Sequence, residues 1–349
     1  MSLLEIQAEI NKINYTPSLI RQLNVVGIDK FDQSFQMNSS FLLEMNHWDH
    51  FAVSWWVSAK RTRSYPYARV YDTLAHTGKK ITIIPIIKDE GIDGDRDFLQ
   101  WDTLSLMSLL QVYVIIGYYD SAVKSKKFDH KITKQRFNLK YIKDQFAQLA
   151  SFQSDALHWN LQQAELAPTI AKKAIDSYSY LSIITGVNMH STETVKSKIE
   201  NISSEADAFK NYSRIKAQEA QYRESQTLQP KEKITFGNKA SLTIKNYLGG
   251  EYYFTSDEAR IVGNNVYLAE CKHSKKRAFP SLSDIKDGLI KMILFTNLEN
   301  VTIGSQQYNP KPVLKLTSDT RIDSSYLQSQ IYKNLLKEAI TNNFEIDLG

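Results

Sequence analysis

The sequence predicts a mixed α/β protein, of the α+β kind, in which a carboxy-terminal core of mixed sheet flanked by helices follows a helical connector and an amino-terminal α/β region. Three observations carry that expectation. Short runs rich in β-branched and aromatic residues, of strand length, lie at 81–88, 112–119 and 266–271. Between them, from Asn138 to about Gln226, large residues recur at helical spacing. The 349 residues are 42% hydrophobic and 23% charged, which suits a globular chain with two or three cores and excludes a disordered one. The boundaries expected are 1–137, 138–228 and 229–349.

In chain order, residues 3–13 read as a short helix, and a second starts near Pro17. His47-Trp48-Asp49-His50 offers two imidazoles and a carboxylate, but without a ligand frame it reads more readily as loop and core than as a metal site. Lys60, Arg61, Arg63 and Arg69 then surround Tyr65 and Tyr67. Cations interleaved with aromatics suit phosphate and base contacts alike, and a solvated loop would look the same. Strands are expected at 67–74, 81–88 and 112–119, with a helix at 97–110 before the last.

The loop from Lys88 to Asp97 carries Asp89, Glu90, Asp93, Asp95 and Asp97. It fails the calcium-loop template, since the twelfth position is Gln100 counted from Asp89 and Leu104 counted from Asp93. Three readings stand: Asp95 or Asp97 caps the following helix, the acids hold a cation, or they accept from cytosine amino groups. The helical stretch that follows places Tyr141, Phe146, Leu149, Phe152, Leu157 and Leu161 on one pattern, then Pro168 opens a helix over 170–184 that Gly186 ends. Residues 191–225 read as a charged helix with few large apolar residues, a connector or an arm along a partner, broken at Gln229-Pro230.

The stretch 256–273 is the most informative. Residues 259–262 and 266–271 are strand-like, and Gly263-Asn264-Asn265 between them tolerates positive φ, so the segment predicts a β-hairpin. Asp257 opens the first strand. Glu270 and Lys272 lie two apart on the second, which sets both side chains on one face. A carboxylate brought across the hairpin to a Glu and a Lys makes a site for a hard divalent cation, because Mg²⁺ takes one or two carboxylates and completes its shell with water and phosphate oxygens. The bland alternative is an edge hairpin with a solvated Glu–Lys pair. About one Glu-x-Lys is expected by chance in a chain this long, and Glu270-Cys271-Lys272 is the single instance. The Asp-x-Lys matches at Asp129 and Asp284 fall in a polar loop and at a helix start.

With Ser256 in the place of the name-giving proline, Asp257, Glu270 and Lys272 resemble the motif of the PD-(D/E)xK nucleases, and of type II restriction endonucleases in particular. The resemblance covers roughly the last third of the chain. It implies a helix and further strands after the hairpin, and these are read at 285–293, opened by Pro280-Ser281-Leu282-Ser283-Asp284, and at 301–303 and 313–316, before a closing helix at 326–339. It further implies Mg²⁺ bound by Asp257, Glu270 and the Cys271 carbonyl, with Glu258 a second candidate acid. Lys272 would orient the attacking water, and Lys275, Lys276 and Arg277 would sit beside phosphates. The implied activity is sequence-specific hydrolysis of double-stranded DNA by a homodimer, with a separately encoded DNA methyltransferase as a further partner. Another DNA nuclease, for repair or antiphage defence, or an inactive DNA-binding protein would share these features. The layout at 67–119 mimics that of the motif, with Asp72 and Lys88 at similar separation but Ile86 where the acid would stand, and suggests a duplication.

A net charge of +5 suits a polyanionic partner. One cysteine excludes an internal disulfide framework and multi-cysteine zinc sites and points to a reducing compartment. Residues 1–9 lack a basic n-region and carry Glu5 and Glu9, unlike a signal peptide, and no apolar run reaches membrane-spanning length. The expectation is a cytoplasmic chain without a membrane partner.

Overall fold

The computed structural model describes residues 4–46, 49–59, 64–191, 238–246, 251–320 and 324–349. It is a mixed α/β fold, and its backbone contacts divide the chain into one unit made of 1–22, 67–75 and 216–349 and another made of 23–66 and 76–215. Strands and helices are numbered along the whole chain. No helix among the described residues is long and apolar enough to cross a membrane.

The first unit is built on an eight-stranded sheet. Its strands are β1 (Leu4–Ile10), β11 (Asn238–Asn246), β12 (Glu251–Val262), β13 (Asn265–Ser274), β14 (Glu299–Ile303), β15 (Gln306–Gln307), β16 (Asn309–Ser318) and β17 (Glu345–Asp347). They are ordered β15-β14-β1-β11-β12-β13-β16-β17. β1 runs parallel to β11, β12 and β13 form the expected antiparallel hairpin, and β16 lies parallel to β13. The helix expected at 285–293, α6 (Leu282–Phe295), connects the hairpin to β14 and packs on β13 and β16.

Two expectations fail in this unit. Residues 3–13 are not a helix: Leu4-Glu5-Ile6-Gln7-Ala8-Glu9-Ile10 buries Ile6, Ala8 and Ile10 on alternate positions, a period of two. The helix-forming Glu, Gln and Ala are overridden by backbone pairing on both sides, to β11 and to β14. Nor does a helix begin at Pro17, where the chain bends without regular structure. The segment instead supplies ligands for a buried carboxylate, Glu338, on the helix Gln330–Asn342. Tyr15 Oη, Tyr71 Oη, and the Ser18 and Leu19 amides all donate to Glu338 at 2.6–3.1 Å.

Residues 67–74 are likewise not a strand: 67–71 lie in α2 (Ser64–Tyr71), with Tyr67, Val70 and Tyr71 buried at three- and four-residue spacing, and 72–74 turn. The apparent duplication therefore has no structural basis. Asp72 follows this helix into the first unit, where Lys286 Nζ lies 2.5 Å and Arg21 Nε 3.2 Å from its carboxylate. The boundaries drawn from the sequence, 1–137, 138–228 and 229–349, thus differ from the observed units, because two amino-terminal segments complete the carboxy-terminal sheet and its core.

The second unit has a five-stranded sheet of β2 (Val25–Gly27), β3 (Ser40–Glu44), β4 (His50–Trp55), β5 (Lys80–Pro85) and β8 (Val112–Gly117), in the order β2-β3-β4-β5-β8. Two small hairpins accompany it, β6 (Ile87–Asp89) with β7 (Arg96–Phe98), and β9 (Tyr119–Lys124) with β10 (Ile132–Phe137). The helices are α1 (Phe31–Met37), α3 (Trp101–Leu109), α4 (Leu139–Ser151) and α5 (Ala156–Thr185). α5 is continuous through Pro168, where the sequence suggested a new start. A single buried stripe, Trp159, Gln163, Ala167, Ile170, Ala174, Tyr178 and Leu181, outweighs the ~3 kcal/mol that an interior proline costs. The helix also covers the sheet edge, since Asn160 Oδ1 and Gln163 Oε1 accept from the Val114 and Ile116 amides at 2.7 and 3.0 Å. Gly186 ends it as expected, with φ +65°.

The closing helix is displaced by a few residues from the expected 326–339: a short turn, α7 (Ser324–Leu327), precedes α8 (Gln330–Asn342).

Candidate active site

The chemistry-bearing side chains of the first unit gather where the hairpin meets α6. The hairpin turn is tight, with Val262 paired to Asn265 and Gly263 at φ +57°, a conformation glycine takes without strain. Farther down β12 an extra residue enters between the pairs Ala240–Ser256 and Asn238–Ala259, a bulge of the sort that re-aims a side chain. Ser256 Oγ secures it by donating to the Glu258 and Ala269 carbonyls, each at 2.9 Å. The side chain in the proline position therefore has a local role, tying the two strands beside Asp257.

Asp257 Oδ2 accepts from the Cys271 amide at 2.8 Å, which brings the β12 carboxylate against the Glu-x-Lys backbone as the spacing predicted. Glu258 turns away to Lys315 on β16, 3.2 Å off, so the two adjacent acids are separated by partner. Lys315 stands opposite Cys271 in the parallel pairing, on the other face from Glu270 and Lys272. Burial raises the Cys271 thiol, and the Asp257 and Glu270 charges add to the rise.

Glu270 and Lys272 do share a face, with Lys272 Nζ 2.9 Å from Glu270 Oε1. Two partners absent from the sequence reading complete the cluster: Asp287, which also holds the Lys272 ammonium, and Lys291, 3.2 Å from Glu270 Oε2. Both come from α6, one turn apart. Their signal was present in the sequence as two charges at i and i+4 in a helix whose remaining positions from Ile285 to Phe295 are all buried.

The electrostatics follow from this alternation of sign. Burial alone would push the Glu270 carboxyl up, but the Lys272 and Lys291 ammonium groups together outweigh it and hold it at about 2. Burial works against the Lys272 ammonium, and the Glu270 and Asp287 carboxylates reverse this, keeping Lys272 charged well above the ordinary lysine range. Burial, aided by the neighbouring Glu270 charge, raises Asp287 against the pull of Lys272. Gly288 permits the close packing: a Cβ there would stand 2.6 Å from Leu314 Cδ1 and 3.4 Å from Lys272 Cε.

A hard divalent ion suits this donor set. Glu270 Oε2 is buried and, although Lys291 lies within ion-pair distance, accepts no hydrogen bond of good geometry. Among the described residues no group of three or more His, Cys, Asp or Glu gathers to hold an ion. An ion held by Asp257, Glu270 and the Cys271 carbonyl would take the rest of its shell from water and substrate, as Mg²⁺ does.

The remaining candidates are dispersed. Lys275, Lys276 and Arg277 are exposed on the loop directly after β13, in the same unit as the cluster. Arg69 is half-buried on α2, whereas Lys60, Arg61 and Arg63 lie outside the described residues, as do His47, Trp48 and the charged stretch from 192 to 225. The acidic loop is a hairpin with its acids engaged separately. Asp89 accepts from the Gly91 amide at 2.9 Å and contacts His190 Nδ1 at 2.8 Å, Glu90 pairs with Lys88 at 2.6 Å, and the Ser58 hydroxyl donates to Asp97. Helix capping by Asp95 or Asp97 does not occur, since α3 begins after Gln100 and has no side-chain cap.

Comparison of the chain with protein-family models, with curated proteins and with solved structures finds no match.

Proposed function

We propose that the chain is a Mg²⁺-dependent endodeoxyribonuclease, acting as a type II restriction endonuclease on double-stranded DNA. The observation that carries this reading is the Lys272 ammonium held between Glu270 and Asp287, on the hairpin that also brings Asp257 to the Cys271 amide. A lysine so placed stays protonated and fixed, which suits it to orient an attacking water and to stabilise charge developing on a phosphate. Asp257, Glu270 and the Cys271 carbonyl would hold the ion, which when bound supplies Lewis-acid polarisation of the phosphate and a water of lowered pKa. Lys275, Lys276 and Arg277 would draw the phosphate backbone toward the hairpin. Arg69, with Lys60, Arg61 and Arg63, would contribute to base reading, and a homodimer would cut both strands.

Incubation of plasmid DNA with the full chain and Mg²⁺ tests the reading. Discrete bands that disappear on chelation are expected. A smear would indicate a nuclease of repair or defence without a fixed site, and intact DNA bound by the chain would indicate a DNA-binding protein without activity.

A further inference from the structure

The metal reading of the hairpin leaves one side chain without a part in it. Lys291 reaches back from α6 to the carboxylate that the ion would need: its Nζ lies 3.2 Å from Glu270 Oε2 and donates to the Thr255 carbonyl at 2.7 Å. The two oxygens of Glu270 are thereby covered by different ammonium groups, but not equally. Lys272, at Oε1, is anchored a second time by Asp287. Lys291, at Oε2, stands farther off, 3.2 Å against 2.9 Å, outside hydrogen-bond geometry to that oxygen, and also donates to the Thr255 carbonyl. Lys291 is also the more exposed of the two, 22% against 16%. Of the two oxygens, Oε2 is the one more easily vacated.

We propose that Lys291 is a built-in counter-ion that holds Glu270 in the absence of metal and exchanges with the divalent cation at Oε2. This rests on the metal reading of Asp257 and Glu270 and adds a specific antagonist to it. The physical need is plain: an ionised carboxylate with 5% of its residue surface exposed is unstable without nearby positive charge, and in the folded chain without metal Lys291 adds to what Lys272 supplies. An arriving ion replaces the ammonium of Lys291, whose flexible stem swings the charge toward solvent and the phosphates of bound DNA. Lys291 is thus a positioning residue that keeps the site ordered and weakens its affinity for metal.

Calorimetric titration of the full chain with Mn²⁺, without DNA, provides the test. Lys291→Met, which keeps the length of the side chain and removes its charge, should bind Mn²⁺ about tenfold tighter or more than the unaltered chain. Lys291→Arg, retaining the charge, should show no such gain. Lys291→Gln serves as the neutral variant if the methionine chain does not fold, as judged by circular dichroism. Unchanged or weaker Mn²⁺ affinity in the neutral variant, with measurable binding to the unaltered chain, overturns the exchange while leaving the metal reading intact. Absence of Mn²⁺ binding in the unaltered chain and in all variants, with or without DNA, defeats the metal reading and the exchange with it.

Discussion

On the proposed function Lys272 bears on chemistry, and it bears on folding because its ammonium neutralises two carboxylates that the fold buries, Glu270 and Asp287. Lys272→Ala should lower the cleavage rate by several orders of magnitude, through loss of about 3 to 5 kcal/mol of transition-state stabilisation. It should also destabilise the fold, since an ammonium removed from a buried pair leaves a carboxylate uncompensated. The two effects separate in the double variant Lys272→Met with Asp287→Asn, in which Glu270 keeps Lys291: urea denaturation should show much of the lost stability restored, while activity stays absent. Full stability in Lys272→Ala would mean that the ammonium is not held as described. Asp257→Asn and Glu270→Gln should abolish cleavage and leave DNA binding largely intact, and turnover in either, in a plasmid assay, removes that residue from the site. On the exposed loop, Lys275→Ala and Lys276→Ala should each flatten the salt dependence of binding by about one unit, on cognate and random duplexes alike. At this scale Asp257, Glu270 and Lys272 were legible from one tripeptide and one turn. Asp287 and Lys291 were not, because an i, i+4 pair of charges shows a shared helix face but not the partner that face meets.

The helix α6 is the element that brings Asp287 and Lys291 to the hairpin, and its start and its packing are separately specified. Ser281 caps it reciprocally: its Oγ accepts from the Asp284 amide at 3.2 Å, and Asp284 Oδ2 accepts from the Ser281 amide at 3.1 Å. Ser281→Ala should cost about 1 kcal/mol of stability by urea denaturation and leave the chemistry alive. Gly288 acts on the packing. An added methyl meets the buried Leu314 and the stem of Lys272, an overpacking of about 1 to 3 kcal/mol set against about 1 kcal/mol gained from helix propensity. Gly288→Ala should therefore lower stability by at most about 2 kcal/mol yet slow cleavage markedly, and a variant more stable than the parent with unchanged activity would show that the close approach is dispensable. The cap was readable as Pro280-Ser281-Leu282-Ser283-Asp284 ahead of an apolar repeat. Glycine in mid-helix was silent, since its value depends on a side chain from β16.

At the scale of the molecule, β1 lies inside the eight-stranded sheet, between β14 and β11, although more than 200 residues of sequence separate it from β11. A fragment of residues 229–349, the domain drawn from the sequence, would leave those two strands with open edges. It would also strip Glu338 of the Tyr15 and Tyr71 hydroxyls and Lys286 of Asp72. Such a fragment should lack a cooperative unfolding transition by circular dichroism; a sigmoidal melt would show that the carboxy-terminal region folds without its amino-terminal segments.

What the sequence by itself determined is local. Period-two and period-3.6 patterns, a turn at Gly263, a cap at Ser281 and a left-handed stop at Gly186 each depend on neighbours a few positions away. From these followed the α/β class, the hairpin and the pairing of Glu270 with Lys272. Tertiary structure decided which of two plausible local states won. Residues 4–10, with helix-forming side chains, became a strand because two distant strands offered backbone partners. Residues 64–71 became a helix because Tyr67, Val70 and Tyr71 could be buried together, and α5 ran through Pro168 because its apolar stripe did not break there. The same distant contacts set Asp257 at the Cys271 amide and Glu258 against Lys315 of β16. In each case the deciding energy is burial or pairing with residues remote in sequence, and no window along the chain contains both partners.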